Sequence, residues 1–310
     1  MSLALLGNTM ILGLLYGLLV LGVFLTFRIL NYADLTVDGS LPLGAAITAT
    51  LIFNGMNPVL ATLLAIPLGA AAGFITGILH TRFSITPLLS GILTMIGLYS
   101  INLRIMGRPN IPLLRHNTVF DLFSSATGLS DFLSQTVITL AVIVVSVIGL
   151  YLFLHTELGQ ALRGTGDNEV MLRSLGVNTD RMKIMGLAVS NALVALSGAL
   201  IAQYQGFADI NMGIGTIIIG LASVIIGEVA LGVKSILGRL SAVVAGSIIY
   251  RLAIALVLRI HFIEYTDLKL FTALLVTIAL ISPVISKKFK PVPNLSLLEQ
   301  KAGAAERAGN

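Results

Sequence analysis

The chain alternates between long uncharged apolar windows and short polar junctions. Residues 3–27, 59–79, 87–103, 137–154 and 271–281 contain no Asp, Glu, Lys or Arg. A helix needs roughly 20 apolar residues to cross about 30 Å of hydrocarbon. Several windows reach that length and the rest come close. The pattern predicts spans at about 7–27, 35–53, 58–79, 87–105, 133–155, 183–205, 237–258 and 268–285. A further apolar stretch, 213–232, is rich in Gly and Ile and reads better as a re-entrant or broken segment than as a plain span. The expected architecture is therefore an all-α polytopic membrane protein of about eight transmembrane helices plus broken segments. One transmembrane domain, 1–286, carries a cytoplasmic loop at 156–182, and a polar tail follows at 287–310.

Composition agrees with the pattern. Charged residues make up 11% of the chain and hydrophobic ones 56%, whereas soluble domains carry about 25% charged residues. Cysteine is absent, which removes disulfides, thiolate nucleophiles and Cys-based metal sites. A net charge of +5 raises the possibility of a nucleic-acid partner. The basic residues, however, sit at the ends of apolar runs, where the positive-inside rule puts them, so no nucleic acid is expected. With 156–182 in the cytoplasm, thirteen Lys/Arg (28, 82, 163, 173, 181, 183, 234, 239, 287, 288, 290, 301, 307) fall inside. Six (104, 108, 115, 251, 259, 269) fall outside or in the outer half. This predicts an outside N-terminus and a cytoplasmic C-terminus. No Lys or Arg precedes Arg28, so the first apolar run reads as a retained span and not as a signal peptide.

Three polar features interrupt the apolar pattern. The first is Asn31-Tyr-Ala-Asp34-Leu-Thr36-Val-Asp38-Gly39-Ser40-Leu-Pro42. Acids in or near a bilayer are costly and face a cavity or a partner, and Gly39 and Pro42 disfavour an unbroken helix. Asp34, Thr36, Asp38 and Ser40 are thus candidates to line a solute path at a discontinuous helix. The alternative is a short cytoplasmic loop in which Asp38 or Ser40 caps the next helix. The second feature is Glu228, a lone acid at the end of the Gly-rich 213–232 stretch. It is either a pathway group or an ion-pair partner of Lys234 or Arg239. The third lies in the loop 156–182, where Asp167 or Asn168 caps a helix over 169–175 and Gly176 stops it. Met171 and Leu175 share one face of this helix, and Glu169 and Arg173 another. Such a helix suits docking into a groove on a cytoplasmic partner, or it rests on lipid headgroups.

Catalytic patterns are missing. His80, His116, His155 and His261 are far apart, with no His-x-x-x-His pair and no Gly-x-Ser-x-Gly elbow. The glycines at 213, 215 and 220 have the wrong spacing for a dinucleotide loop, and Gly227-x-x-x-x-Gly232 is followed by Val233 before Lys234-Ser235, so the phosphate loop fails as well. The chain is expected to be a transport subunit and not an enzyme. It is expected to hold no cofactor, with any ATP bound by a partner. An ion-coupled secondary transporter, with Asp34, Asp38 and Glu228 as ion groups, stays open on residues alone.

The segment Leu175-Gly-Val-Asn178-Thr-Asp-Arg181, followed by the Ala/Gly-rich run from Ser190 to Gln203, resembles permease subunits of ABC importers in the branched-chain amino acid/ribose family. Phe27-Arg28 through Asn31 to Gly44, Gly91-Ile-Leu-Thr-Met and Tyr99 to Asn110 resemble its tryptophan/tyrosine permease branch. The resemblance implies a bacterial inner-membrane protein that moves a small solute, an aromatic amino acid (tryptophan or tyrosine). It implies a second copy of the chain, a cytoplasmic ATPase dimer below and an extracytoplasmic solute-binding protein above. It also assigns Asp167, Asn168, Met171, Arg173, Leu175 and Gly176 to ATPase coupling, and Asp34, Thr36, Asp38 and Ser40 to the path.

Overall fold

The computed structural model describes residues 3–233 and 235–257, together with Leu270, Ala273, Leu274 and Thr277. The expected span at 268–285 lies outside the described residues apart from those four, and the tail 287–310 lies wholly outside them. Helix α1 (Leu3–Phe24) runs into a π-helical turn, Leu25–Ile29. α2 (Val37–Phe53), α3 (Pro58–Thr81) and α4 (Pro87–Met106) follow, then strand β1 (Asn110–Pro112), α5 (Val119–Thr127) and α6 (Asp131–His155). Two short helices, α7 (Glu157–Asp167) and α8 (Glu169–Ser174), precede α9 (Thr179–Gln205). Strand β2 (Phe207–Asp209), α10 (Thr216–Leu231) and α11 (Ile236–Val257) complete the described chain. Six helices among the described residues are long and apolar enough to cross a membrane, and α2 and α10 are shorter apolar helices. The protein is an all-α polytopic membrane protein.

α1 is apolar on every side, the pattern of a fully enclosed helix. Leu15, Leu18, Leu19, Val20 and Leu21 are all buried, and α1 packs against α6, α9, α10 and α11. α9 is the second pillar and lies against α1, α2 and α3. Close approach here depends on small residues, as is usual where lipid supplies no hydrophobic drive between helices. A side chain at Gly44 would strike the Ala195 carbonyl, and one at Gly73 the Leu187 carbonyl. By contrast, α6 turns Leu140, Val144, Val145, Ile148 and Leu152 outward, an apolar flank suited to lipid.

The junctions hold more structure than the pattern foretold. The connection 106–132 contains β1, which pairs antiparallel with β2 through Asn110–Asp209, Ile111–Ala208 and Pro112–Phe207. It also contains α5, closed by a capping box between Thr118 and Asp121. The loop 156–182 contains two helices where one was expected. The stretch 35–53 starts its helix only at Val37, giving 17 residues, or about 26 Å. The 213–232 stretch is a turn followed by the 16-residue α10, bounded by left-handed Gly215 and Gly232.

Two ends of the bundle can be told apart by their contacts. At one end, Gly166 sits against the Ile29 backbone, Arg28 meets Glu228, and Tyr32 meets His80. At the other, β1 joins β2, Phe53 stacks near His116, and the Tyr204 hydroxyl reaches the Asn8 carbonyl.

Candidate translocation site and coupling helix

The polar break between α1 and α2 is built around one amide. After the π-turn, Asn31 adopts φ +53° and the chain turns back into the bundle. Asp34 Oδ1 accepts from the Thr36 backbone N–H at 2.9 Å, and Oδ2 accepts from Asn191 Nδ2 at 2.7 Å. Ser40 Oγ donates to Asn191 Oδ1 at 2.7 Å, and Nδ2 also reaches the Leu187 carbonyl. The Thr36 hydroxyl shares a 2.7 Å hydrogen bond with that of Thr76, which donates to the Thr94 hydroxyl at 2.9 Å. Asp34, Thr36 and Ser40 are each no more than 1% exposed. Of the residues expected on a path, these three face protein. Their polar groups are satisfied internally, as buried groups must be, and they tie α2, α3, α4 and α9 together.

Asp38 is placed differently. Its Oδ1 accepts from the Ile217 backbone N–H at 2.8 Å and the Thr216 hydroxyl at 2.9 Å, and its Oδ2 from the Gly215 N–H at 3.0 Å. The first N–H groups of a helix have no intrahelical partners and carry the positive end of its dipole. Asp38 fills that role for α10, not for its own helix α2. The N-cap of α2, Thr36, makes no side-chain capping hydrogen bond. Close packing at this junction needs Gly213, whose missing side chain leaves room for the Asp38 carbonyl and the Pro42 ring.

Beside this junction lies a cavity of about 420 Å³, lined by Asp38, Pro42, Met95, Tyr99, Asn102 and Ile214 among others. It sits between α2, α4 and the turn before α10. Asn102, 1% exposed, donates through Nδ2 to the Gly39 carbonyl at 3.1 Å.

The coupling candidates form a second cluster. Asn168 caps α8, accepting the Met171 N–H at 3.0 Å, while Asp167 is the last residue of α7. Gly176 is left-handed, at φ +84°. Met171 and Leu175 are exposed, and so is Val170 at 80%. Leu172 is buried and packs against Gly164. Arg173 does not project freely. It bonds Glu169 at 2.9 Å, Asp180 at 3.0 Å and the Thr179 hydroxyl at 2.7 Å. Glu169 also receives Lys183 Nζ at 2.8 Å. Partial burial pushes the Glu169 carboxyl up. Lys183, Thr179 and Arg173 together outweigh this and hold it below its ordinary value. α8 is therefore fastened to the first turn of α9.

The family described as branched-chain amino acid transport system / permease component matches residues 5–281. The chain belongs to this permease family. It is 45% identical, over 85% of its length and 86% of the relative's, to a tyrosine transport system permease protein of Clostridioides difficile. It is 39% identical to an uncharacterised Rickettsia prowazekii protein, over 63% of this chain and 66% of that one. It is 31% identical to the Bacillus subtilis ribose import permease protein, over 60% and 56%. No solved structure matches. The protein is thus the permease component of an ABC-type transporter for a small solute, a multi-pass protein of the inner membrane. Membership implies an ATPase partner and a solute-binding protein.

Glu228 of the permease lies apart from the cavity. It pairs with Arg28 Nε at 2.8 Å, not with Arg239; Lys234 is outside the described residues. It lies twelve positions along α10 from Thr216, about 18 Å. Sequence reasoning passed over Asn191, Asn102 and Val170. A lone amide near the middle of the apolar α9 was the available signal for Asn191. The same signal, a lone amide in the apolar α4, was available for Asn102, and nothing local marks Val170.

Proposed function

We propose that this permease forms the solute path of a binding-protein-dependent importer for an aromatic amino acid, working as a pair with a second copy of itself. The observation that carries it is the junction at Asp38, where α2, α4 and the capped end of α10 meet around a cavity with an aromatic and aliphatic wall. The tyrosine permease relative, covering most of both chains, supports the solute class. Seven Lys/Arg (28, 82, 163, 173, 181, 183, 239) at the α8 end, against four (104, 108, 115, 251) in the other half, support a cytoplasmic α8 end. With α6 leading into it, the N-terminus lies outside.

In this mechanism ATP stays on the partner. Closure of the ATPase dimer draws the two α8 helices together, with Val170, Met171 and Leu175 seated in a groove on each ATPase subunit. The Arg173–Glu169–Lys183 cluster passes the displacement into α9. Asn191, near the middle of α9, passes it on to Asp34 and Ser40 and so to the junction at Asp38. The cavity then opens outward to take solute from the binding protein, and hydrolysis reverses the motion. Glu228 and Arg28 hold α10 to the end of α1 and stay at the rim.

The test is uptake of labelled tyrosine into vesicles holding the permease and its ATPase, with the binding protein supplied outside. ATP-dependent, vanadate-sensitive uptake that an ionophore leaves intact is expected. Uptake that collapses with the ionophore and ignores vanadate would overturn the reading in favour of ion coupling.

A further inference from the structure

Glu228 stands where its own helix gains nothing from it. It lies in the last turn of α10, where a carboxylate meets the negative end of the helix dipole. Its partner, Arg28, belongs to the π-turn Leu25–Ile29 that leads into the polar break. The Arg28 side chain is 52% exposed and that of Glu228 22%, so the pair adds little to stability. It does fix position. Arg28 and Asp38 bracket the break in the chain, and each holds one end of α10. Arg28 holds Glu228, and Asp38 holds the Gly215 and Ile217 N–H groups and the Thr216 hydroxyl. One unbroken helix, about 18 Å from Thr216 to Glu228, therefore sets the separation between the two sides of the break.

Both ends of α10 have room to turn. Gly215 and Gly232 are left-handed, at φ +79° and +56°, and a side chain at either would meet nothing within 4 Å. Such terminal positions can absorb a change in dihedral angles. Between them α10 packs through Gly220 on Leu19 and Val23, and through Gly227 on the Ala242 carbonyl, so it slides or tilts as one body. A push at the Glu228 end thus reaches the Thr216 end. The cytoplasmic loop can supply that push, because Gly166 of α7 rests on the carbonyl of Ile29, the residue after Arg28.

We infer that Arg28 and Glu228 are positioning residues of the transport cycle, whose ion pair makes α10 a strut from the cytoplasmic loop to the Asp38 junction. The route runs from α7 through Ile29, Arg28 and Glu228 along α10. It works on the α10 side of the junction, whereas Asn191 works on the α2 side. This rests on the ATP-driven function proposed above and is independent of which solute is carried.

The cysteine-free chain allows a readout at the far end of the strut. Ile214, in the turn before α10, lines the cavity and is exposed, so Ile214→Cys places a reporter thiol there. In vesicles holding the permease and its ATPase, thiol modification by a small thiosulfonate is timed without nucleotide and after trapping with ATP and vanadate. The two rates should differ. Glu228→Gln keeps the size and an acceptor but removes the charge. It should lose the difference while ATP hydrolysis continues and the unfolding midpoint in detergent holds. Arg28→Glu should lose it too, and Arg28→Glu combined with Glu228→Arg should restore it. A pair that only stabilised the fold would lower the midpoint and leave the response of the folded protein intact. A response that survives both single variants overturns the inference. So does one that the exchanged pair fails to restore, or none at all with the pair intact. An assembled complex without vanadate-sensitive ATP hydrolysis marks failure of the ATP-driven reading, and the strut falls with it; hydrolysis with an unresponsive thiol marks failure of the strut alone.

Discussion

Asn191 gathers three polar groups that the chain sets far apart: the Asp34 carboxylate, the Ser40 hydroxyl and the Leu187 carbonyl. Its amide donates through Nδ2 and accepts through Oδ1 without carrying charge. Asn191→Ala would leave Asp34 with its Thr36 contacts alone in a buried site, a loss of roughly 3 kcal/mol. A clear fall in the thermal unfolding midpoint in detergent is expected, with Asn191→Asp worse because two carboxylates would then face each other. An unchanged midpoint would show that the clasp stabilises nothing. Asp38→Ala takes a different course. It frees three donors at the start of α10, costs about 1–2 kcal/mol as caps do, and should cut tyrosine uptake while the ATPase still co-purifies. Wild-type uptake in that variant would remove Asp38 from the path. The two acids were legible as costly residues in an apolar context. Their partners were not, because Asp38 meets residues 177 to 179 positions away and no local pattern encodes that distance.

At the scale of elements, α8 was legible because its signals are local: an Asx cap, an apolar pair one turn apart and a left-handed glycine. α7 was hidden by three glycines, at 159, 164 and 166, which lower helix propensity. Here they are needed for contact, since Gly159 packs on the Phe153 carbonyl and Gly166 on that of Ile29. The charge cluster makes α8 an extension of α9, so coupling should fail in two separable ways. Val170→Glu puts a charge on the docking face and should weaken ATPase co-purification. Arg173→Glu should leave docking in place but loosen α8 from α9, so that ATP hydrolysis continues without uptake. Unaltered uptake in Arg173→Glu removes the lever. The cluster also predicts a pH dependence. The Glu169 pKa is lowered in the fold, so its contribution is complete above the unfolded value and is lost as pH falls through the folded one. A spin label at Leu175→Cys should therefore keep its mobility between neutral pH and about 5, and gain mobility only below the ordinary carboxylate pKa near 4. Mobility rising already at pH 6 would assign the fastening to some other group.

At the scale of the whole molecule, the apolar windows revealed the class, because a bilayer demands roughly 20 apolar residues of every helix that crosses it. They did not reveal that α1 is enclosed by protein while α6 faces outward, since both are equally apolar in sequence. Orientation depends on charge, and the bundle sorts charge by end. Arg28, Arg82, Arg163, Arg173 and Arg181 gather with α8, whereas Arg104, Arg108 and Arg115 gather with the β1–β2 pair. If the first end is cytoplasmic, the capped start of α10 is reached from outside through the cavity at Asp38, and α8 meets the ATPase. If it is not, the coupling helix faces the wrong compartment and the importer mechanism fails with it. Two exposed positions decide this in the cysteine-free chain. Phe83 lies in the α3–α4 turn at the α8 end, and Leu114 lies just beyond β1. In intact cells stripped of any outer membrane, Leu114→Cys should react with an impermeant maleimide, whereas Phe83→Cys should react only after lysis. The reverse result would invert the bundle. Reaction at both positions before lysis would mean a mixed topology, which a chain with its basic residues split this unevenly should not adopt.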